Sequence, residues 1–393
     1  MDFDLSDDQL AVRALAEEVF AKHADPERLA AVEAGTERFD RELWRQLAAS
    51  GLLGIAVPEE HGGDGLGLSG FVVALIEQGR RVPLVPLWET VVLGAMPVAR
   101  FGSQQQRDRW LPRAATGSAV LTAALEPGAV RAVPGGGWSL TGTCVSVPAG
   151  HLADAVVVPA ALDDGTPGLF LMETSQPAVS RQPFERTDRA LAADLVLDGA
   201  AAEPLDTGAA EPLDTAEAGP LDRAAAERPD VVGAEPPSGT AGGDRCEWLR
   251  HRAWAGLAAV QLGVSQEAVR LAAAYTAERH QFGVPLATFQ AVAHQAADCH
   301  IDTQAMEVTL WDAVWRLDTG RPAASAVHVA RWWAADAGDR VARVVQHLHG
   351  GLGADVTYPV HRYMLWSSQL ANTFGSAAWH LDRIGEHVAG GTL

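Results

Sequence analysis

The sequence predicts an α+β protein built from an N-terminal helical domain, a middle antiparallel β domain and a C-terminal four-helix bundle. Three observations predict this order. Residues 1–118 place apolar side chains at helical spacing. Residues 119–200 contain short β-rich runs divided by Gly, Pro and Asp. Residues 244–393 form long, Ala-rich stretches with a continuous apolar stripe, and such helices pack as a bundle.

The N-terminal domain begins with "DDQLAVRALAEEVFAKHA" behind an Asp/Ser start. Its apolar residues Leu10, Val12, Leu15 and Val19 lie at near-helical intervals, which predicts an amphipathic helix. The stretch 51–67 interrupts the helices with a proline and a glycine-rich loop. Helical patterns then resume up to about residue 118.

Residues 201–243 differ from both neighbouring domains. They carry nine acidic residues and two arginines, and Pro-Leu-Asp recurs at 204, 212 and 220. A mixture of Pro, Ala, Gly and acids has too few large apolar groups to repay its ordering entropy. We therefore expect an acidic Pro/Ala-rich insertion or linker that carries no function.

The C-terminal domain starts with one long helix. Its apolar stripe repeats every three or four residues, at Leu249, Ala253, Leu257, Val260, Val264, Ala268, Leu271 and Tyr275. Two further helices are predicted at about 286–317 and 322–349. The stripe indicates that the first helix is buried along its length.

Composition excludes several classes of protein. The formal charge of −20 argues against nucleic-acid binding, which needs clustered Lys and Arg. No apolar run reaches the roughly 18–20 residues of a membrane span. The acidic, amphipathic start resembles no targeting peptide, and the three scattered cysteines have no metal-ligand spacing. We expect a cytoplasmic protein with reduced thiols and no bound metal.

Four ordered motifs carry a resemblance to a known family. They are "GIAVPEEHGG", "FGSQQQRDRWLP", "ERHQFGVPLATFQAVAHQAAD" (278–298) and "HGGLG…YPVHRY". Together they resemble the acyl-CoA dehydrogenases over nearly the whole chain outside the insertion. The resemblance implies FAD as cofactor, an acyl-CoA substrate and electron-transfer flavoprotein as the electron acceptor. In this family a carboxylate removes the α-proton of the thioester, and FAD takes the β-hydride.

The resemblance implies that one subunit contributes to the FAD site of its neighbour. The positions that match are Arg279 and Phe282 of the "R-x-x-F-G" turn, Gln290, and Gly350 and Gly351 of "HGGLG". His347 stands where the family usually has Gln. Arg suits a pyrophosphate because its planar donors contact two oxygens.

The family's two base positions, by the same resemblance, correspond here to Ala253 in the long helix and Thr357 before Tyr-Pro. Alanine cannot accept a proton, and threonine cannot act near neutral pH without an activator. Glu247 and Asp355 are the nearby acids. Glu247 lies about 9 Å from Ala253 along the helix and on a different face, and Asp355 suits a turn.

The flavin-side motifs are also altered. The family's "T-E-P-x-x-G-S-D" appears as "LEPGAVRA", with Leu125 for Thr, and "G-x-K-x-W-I-T" appears as "GTCVSVP". Ser146 and Pro148 replace the aromatic residue and the threonine of that motif, and Trp254 replaces an Arg that faces CoA.

The chain therefore resembles the subunit without a base in the α2β2 heterotetrameric acyl-CoA dehydrogenases of actinobacterial steroid side-chain degradation. The predicted function is a contribution to FAD binding in a homologous partner subunit, with a bulky acyl-CoA as substrate. Two alternatives stay open. One is a self-sufficient homotetrameric enzyme with a displaced base, and the other is a non-catalytic scaffold subunit.

Overall fold

The computed structural model describes residues 4–126, 128–205 and 241–391. Its first part is helical, as predicted. Ser6 and Ser103 each begin a helix with a capping box, in which the serine and the third helical residue, a glutamine, satisfy each other's backbone N–H. A π-helical segment, Glu89–Ala95, runs directly into the fifth helix. The helices are α1 Asp7–His23, α2 Pro26–Ala34, α3 Arg41–Ala49, α4 Gly67–Arg81, α5 Met96–Phe101 and α6 Gln104–Ala115.

The middle part is a seven-stranded sheet. The strands are β1 Leu121–Ala123, β2 Ala129–Pro134, β3 Trp138–Pro148, β4 Ala155–Ala161, β5 Pro167–Glu173, β6 Val179–Glu185 and β7 Leu191–Pro204. Strand β5 pairs with both β4 and β7, so the order β4-β2-β3-β7-β5 closes on itself. Residues such as Leu140, Val156 and Phe170 fill its interior.

The expectation of an entirely antiparallel sheet is wrong in two pairings. Strand β4 runs parallel to β1 and, at one residue pair, to β2, whereas its pairing with β5 is antiparallel. Alternation of apolar and polar residues identifies a strand but does not specify which neighbour it pairs with or in which direction. The α+β class and the order of the three parts are confirmed.

The C-terminal part is a bundle of long helices. After α7 a small hairpin, β8 His280–Gln281 and β9 Val284–Pro285, turns the chain into α8, and α11 packs on α9 outside the bundle of α7 to α10. The helices are α7 Ala241–Glu278, α8 Gln290–Asp318, α9 Ala324–Leu348, α10 Val360–Leu370 and α11 Ala377–Ala389. The predicted stripe is buried from Leu249 to Ala268, and its last two members are half-buried.

Close contact between α4 and α7 joins the N-terminal helices to the bundle. A Cβ on Gly79 would lie 2.0 Å from the carbonyl oxygen of Val260, and a Cβ on Gly263 would lie 1.9 Å from that of Ile76. Only glycine permits this approach of the two backbones. The orientation of α7 relative to α4 is therefore fixed.

The observed element bounds differ slightly from the predicted domain bounds. Strand β7 continues to Pro204, and α7 already begins at Ala241. Residues 206–240, most of the predicted insertion, lie outside the described residues. In the described part of the chain, no helix combines the length and hydropathy that a membrane crossing requires.

Candidate functional site

The residues predicted to contact a neighbour's cofactor meet at one end of the bundle. Tyr275, in the last turn of α7, stacks on His349 with ring centroids 4.7 Å apart. The backbone N–H of Leu286 donates to the carbonyl of Arg279 at 2.8 Å, which folds the hairpin back onto the end of α7. We call the group formed by Arg279, Phe282, Gln290, His347, Gly350 and Gly351 the clamp surface.

All six residues of the clamp surface are exposed. Phe282 is 93% exposed, and its backbone has a φ of 53°. A bulky residue in the left-handed region is a genuine outlier, and such strain concentrates at binding sites. Among the residues that the structure describes, no carboxylate lies within ion-pair distance of the Arg279 guanidinium. Its guanidinium is therefore available to an anion.

The two glycines of the clamp surface have different requirements. Gly350 has a φ of 61°, which favours glycine for backbone reasons. Gly351 has no such φ, and a Cβ placed on it would meet no atom within 4 Å. Nothing within the described chain requires glycine at 351. The open space beside it leaves its backbone accessible to a ligand, which fits the diphosphate or ribose of a cofactor.

Ala253 lies in a different part of the molecule. It is fully buried, and its carbonyl accepts a hydrogen bond from the indole of Trp88 at 3.2 Å. The indole of Trp254 donates to the carbonyl of Phe374 at 2.7 Å, and the rings of Trp88 and Phe374 are 5.7 Å apart. Trp88, Trp254 and Phe374 therefore form a group of aromatic residues beside Ala253.

The structure corrects the interpretation of Thr357. Tyr358 lies 5.5 Å from His349, so Thr357 belongs to the clamp end of the bundle. Since each helical residue adds about 1.5 Å, Ala253 is about 33 Å from Tyr275 along α7. Thr357 and Ala253 cannot be alternative positions for one base. The turn 371–376 instead reaches the indoles beside Ala253, because Phe374 accepts from Trp254 and its ring contacts Trp88.

The two acids weighed from sequence do not replace the base. Glu247 is exposed, and its carboxylate lies 3.5 Å from the imidazole of His251. Asp355 accepts hydrogen bonds from the backbone N–H and the hydroxyl of Thr357, and these bonds hold its pKa below the usual range. A carboxylate with a lowered pKa in an exposed turn is a poor general base.

Two cavities lie where the sheet meets the bundle. The linker cavity, about 60 Å³, lies against the segment 83–86 and is also lined by Trp88, Glu89 and Leu257. The turn cavity, about 300 Å³, is lined by Glu126, Ser146, Pro148 and the turn residues Asn372, Thr373 and Phe374. Arg186, paired with Asp188 at 2.7 Å, lines both.

Glu89 is a candidate that sequence reasoning missed. Burial raises its pKa to about 7, against the opposing effect of the nearby Arg186. A carboxyl that titrates near neutral pH in a cavity is a recognised feature of functional sites. The residues around Glu89, which lies two residues after a Pro-Leu pair, form no sequence pattern that indicates a functional site. The cavity exists only where the sheet and the bundle meet, so a local pattern could not predict it.

Comparison with known proteins identifies the family. Residues 6–118 match the model of the acyl-CoA dehydrogenase N-terminal domain, and residues 251–389 match that of the C-terminal domain. The acyl-CoA dehydrogenase FadE27 of Mycobacterium tuberculosis is 34% identical, with 99% of each chain covered.

Two solved structures extend this similarity. A chain from a variant of the Tcur3481-Tcur3483 steroid ACAD is 42% identical, with a TM-score of 0.85 and 98% of each chain covered. A chain of the ChsE4-ChsE5 complex from Mycobacterium tuberculosis is 34% identical, with a TM-score of 0.86 and 99% of each chain covered. With its two domain matches and these full-length relatives, the chain belongs to the acyl-CoA dehydrogenase family of FAD-dependent oxidoreductases.

Proposed function

We propose that this chain is the subunit without a catalytic base in a heteromeric acyl-CoA dehydrogenase that introduces an α,β double bond into a bulky acyl-CoA thioester. Its clamp surface would hold the FAD of a homologous partner subunit. When bound, FAD accepts the β-hydride of the thioester. The partner would supply the carboxylate that removes the α-proton.

The separation of the two ends of α7 carries this proposal. Arg279 lies about 39 Å along the helix from Ala253, at about 1.5 Å per residue. The exposed clamp surface is therefore far from the buried surroundings of Ala253, and a ligand on it would extend into another subunit. Exposure of Phe282 in a strained conformation supports the same conclusion, because a free surface gives no reason to maintain that strain.

Each residue of the clamp surface has a distinct role in the proposal. Arg279 would donate two hydrogen bonds to the diphosphate, and the backbone at Gly350 and Gly351 would approach the diphosphate or ribose. Phe282 would pack on the cofactor or the partner. Gln290 and His347 would add hydrogen bonds from either side.

The absence of a base beside Ala253 supports the proposal that the partner supplies the carboxylate. The residues in contact there are Ala253, Trp88, Trp254 and Phe374, and none of them can accept the α-proton. Two solved relatives are described as two-protein complexes, one of them as a steroid ACAD. We therefore propose an α2β2 assembly, a steroid side-chain or similarly bulky acyl group, and electron-transfer flavoprotein as acceptor.

Glu89 favours one alternative, a self-sufficient enzyme with a displaced base. Its pKa of about 7 suits a general base near neutral pH. However, Glu89 lines the linker cavity, whereas the flavin-side residues Ser146 and Pro148 line the turn cavity. The variant Glu89→Gln in the assembled protein distinguishes the self-sufficient enzyme from the subunit without a base. If Glu89 is the base, this variant should lose turnover while FAD stays bound.

The experiment that tests the proposal is co-expression with a homologous acyl-CoA dehydrogenase subunit from the same organism, followed by counting of subunits and FAD. We expect equal amounts of the two chains and one FAD for each pair. Two FAD per pair would contradict the proposal, and a complex without FAD would support the scaffold alternative instead.

A further inference from the structure

The C-terminal helix α11 packs on α9 through histidine and tryptophan rings. His328 of α9 is 5% exposed, and His380 of α11 is fully buried. The Nδ1 atoms of these two histidines are 2.9 Å apart, which is a hydrogen bond. The ring of His328 also contacts that of Trp379 on α11, with centroids 5.6 Å apart. The attachment of α11 to the bundle therefore depends on a pair of buried imidazoles.

The hydrogen bond between the two imidazoles limits the number of protons that the pair can hold. One ring must donate from Nδ1 and the other must accept, and a protonated imidazole can only donate. If both rings were protonated, the hydrogen bond would be lost. Nε2 of His380 is buried without a hydrogen-bond partner, so a proton there would also be unpaired. The closed contact between His328 and His380 is therefore compatible with at most one protonated ring.

The charges near the pair also disfavour its protonation. Arg331 of α9 is fully buried and acts on His380, and Arg383 of α11 acts on His328. No carboxylate of the described residues lies within ion-pair distance of either ring. The other titratable groups around the pair are His387 of α11, His251 of α7 with Glu247 at 3.5 Å, and Glu386, which pairs with Arg383 at 2.7 Å.

Helix α11 also holds the turn that lines the turn cavity. Nε2 of His380 lies 3.0 Å from the position that a Cβ on Gly375 would take, so this ring packs against the backbone of the turn. The rings of Trp379 and Trp254 are 5.5 Å apart, and the indole of Trp254 donates to the carbonyl of Phe374. If α11 moved away from α9, the turn would lose these supports.

We propose that α11 is an acid-sensitive latch, which lies closed on α9 at neutral pH and opens when both His328 and His380 take up a proton. Opening exposes the two imidazoles to water and moves His380 away from Arg331. It also frees the turn at Phe374, so acid would change the shape of the turn cavity. The latch depends only on contacts within this chain and is independent of the proposed function.

The two histidines determine the direction and the size of the pH effect. Burial lowers the pKa of His328 to about 4 and that of His380 to about 2, whereas a solvated histidine titrates near pH 6.5. The closed state is therefore fully stabilised above pH 6.5 and loses stability as the pH falls below that value. Between pH 8 and pH 5.5, the ratio of open to closed latch should rise about 100-fold, with about tenfold from each histidine.

Native-state hydrogen exchange at pH 8, 6.5 and 5.5, corrected for the intrinsic exchange rate, measures the opening. The sample is the full chain, with its partner subunit where one co-purifies. The amides of α11 and the N–H of Phe374 should lose protection together by about 100-fold. Low urea should affect them little, because a local opening exposes little surface. Amides of the buried strand β4, such as that of Val156, should exchange more slowly and depend strongly on urea.

The variant His328→Gln tests the role of the imidazole pair. Glutamine can still hydrogen-bond with His380 but does not titrate, so the effect of pH on α11 should fall to about tenfold. His300→Gln, at an exposed position on α8, is the matched control and should retain the 100-fold effect. If His328→Gln does not fold, His380→Gln provides the same comparison.

An unchanged 100-fold effect in either folded variant of the pair would overturn the latch. Exchange of the wild-type α11 amides only together with those of β4, with the same urea dependence at every pH, would also overturn it. This second result needs no variant.

Discussion

Tyr275 stacks on His349 with the ring centroids 4.7 Å apart, and this contact ties the end of α7 to the turn that follows α9. It brings Arg279 and Gly351 to one surface, although they are far apart in the sequence. Burial lowers the pKa of His349, so its ring is neutral at physiological pH. The clamp surface is therefore built on a packed aromatic pair and not on a free loop.

Arg279→Ala should weaken FAD retention by the complex about 10- to 150-fold, because a hydrogen bond to a charged group contributes about 1.5–3 kcal/mol. Arg279→Lys should restore only part of this, since a point charge cannot reproduce the forked contact. The measurement is FAD dissociation at increasing dilution. Unchanged retention in Arg279→Ala would exclude Arg279 from the cofactor site.

Gly351→Ala should also weaken FAD binding, although the chain itself tolerates the methyl group. The matched control is Gly136→Ala on the β2–β3 turn, where a Cβ likewise meets nothing within 4 Å and no left-handed φ is required. Both variants should unfold at urea midpoints close to that of the wild type. If Gly351→Ala retained FAD as well as Gly136→Ala does, the cofactor would not approach Gly351 closely.

Thr357→Ala and Glu247→Gln should leave turnover of the complex within a small factor of wild type. Thr357 only closes a turn with Asp355, and Glu247 is exposed beside His251. Steady-state rates at saturating acyl-CoA and FAD are the measurement. A loss of turnover in Glu247→Gln with FAD still bound would show that this chain has its own base.

Stability should fall as the pH drops below about 6.5, because histidines are buried in their neutral form. His328 and His380 share a hydrogen bond at 2.9 Å, and burial lowers the pKa of His328 to about 4. The unfolded chain takes up a proton near pH 6.5. At pH 5.5, His328 alone should therefore lower the free energy of unfolding by about 1.4 kcal/mol relative to pH 8.

His251 and His380 should extend the loss of stability to lower pH. Burial lowers their pKa values to about 3 and about 2, respectively. Urea unfolding at pH 8, 6.5 and 5.5 measures the slope. Because glutamine does not titrate, the variant His328→Gln should show a weaker dependence of the free energy of unfolding on pH. The same pH dependence as the wild type would show that His328 does not contribute to it.

The sequence predicted the helices and strands better than the contacts between elements that are far apart in the sequence. Helical spacing predicted the buried stripe of α7, and the "R-x-x-F-G" motif predicted a turn at Arg279, because both depend on neighbouring residues. The cluster at Ala253 depends on contacts from Trp88 and from the turn at Phe374, each more than a hundred residues away in the sequence. No local pattern contains that information.

Thr357 is a second residue whose position in the fold could not be predicted from a local pattern. Its glycine-rich loop and following Tyr-Pro suggested an active-site position, but such a loop does not reveal which end of a bundle it occupies. The contact of Tyr358 with His349 answers that question. The direction of β4 in the sheet was missed for a related reason, because pairing depends on distant strands.

We propose that this chain contributes a cofactor-binding surface to its partner and has no base of its own. The most direct measurement is anaerobic bleaching of the flavin absorbance when a bulky acyl-CoA is added, with this chain alone and with its partner, each supplied with FAD. We expect no bleaching by the chain alone and full bleaching by the complex. Bleaching by the chain alone that disappears in Glu89→Gln would contradict it and would assign the displaced base to Glu89.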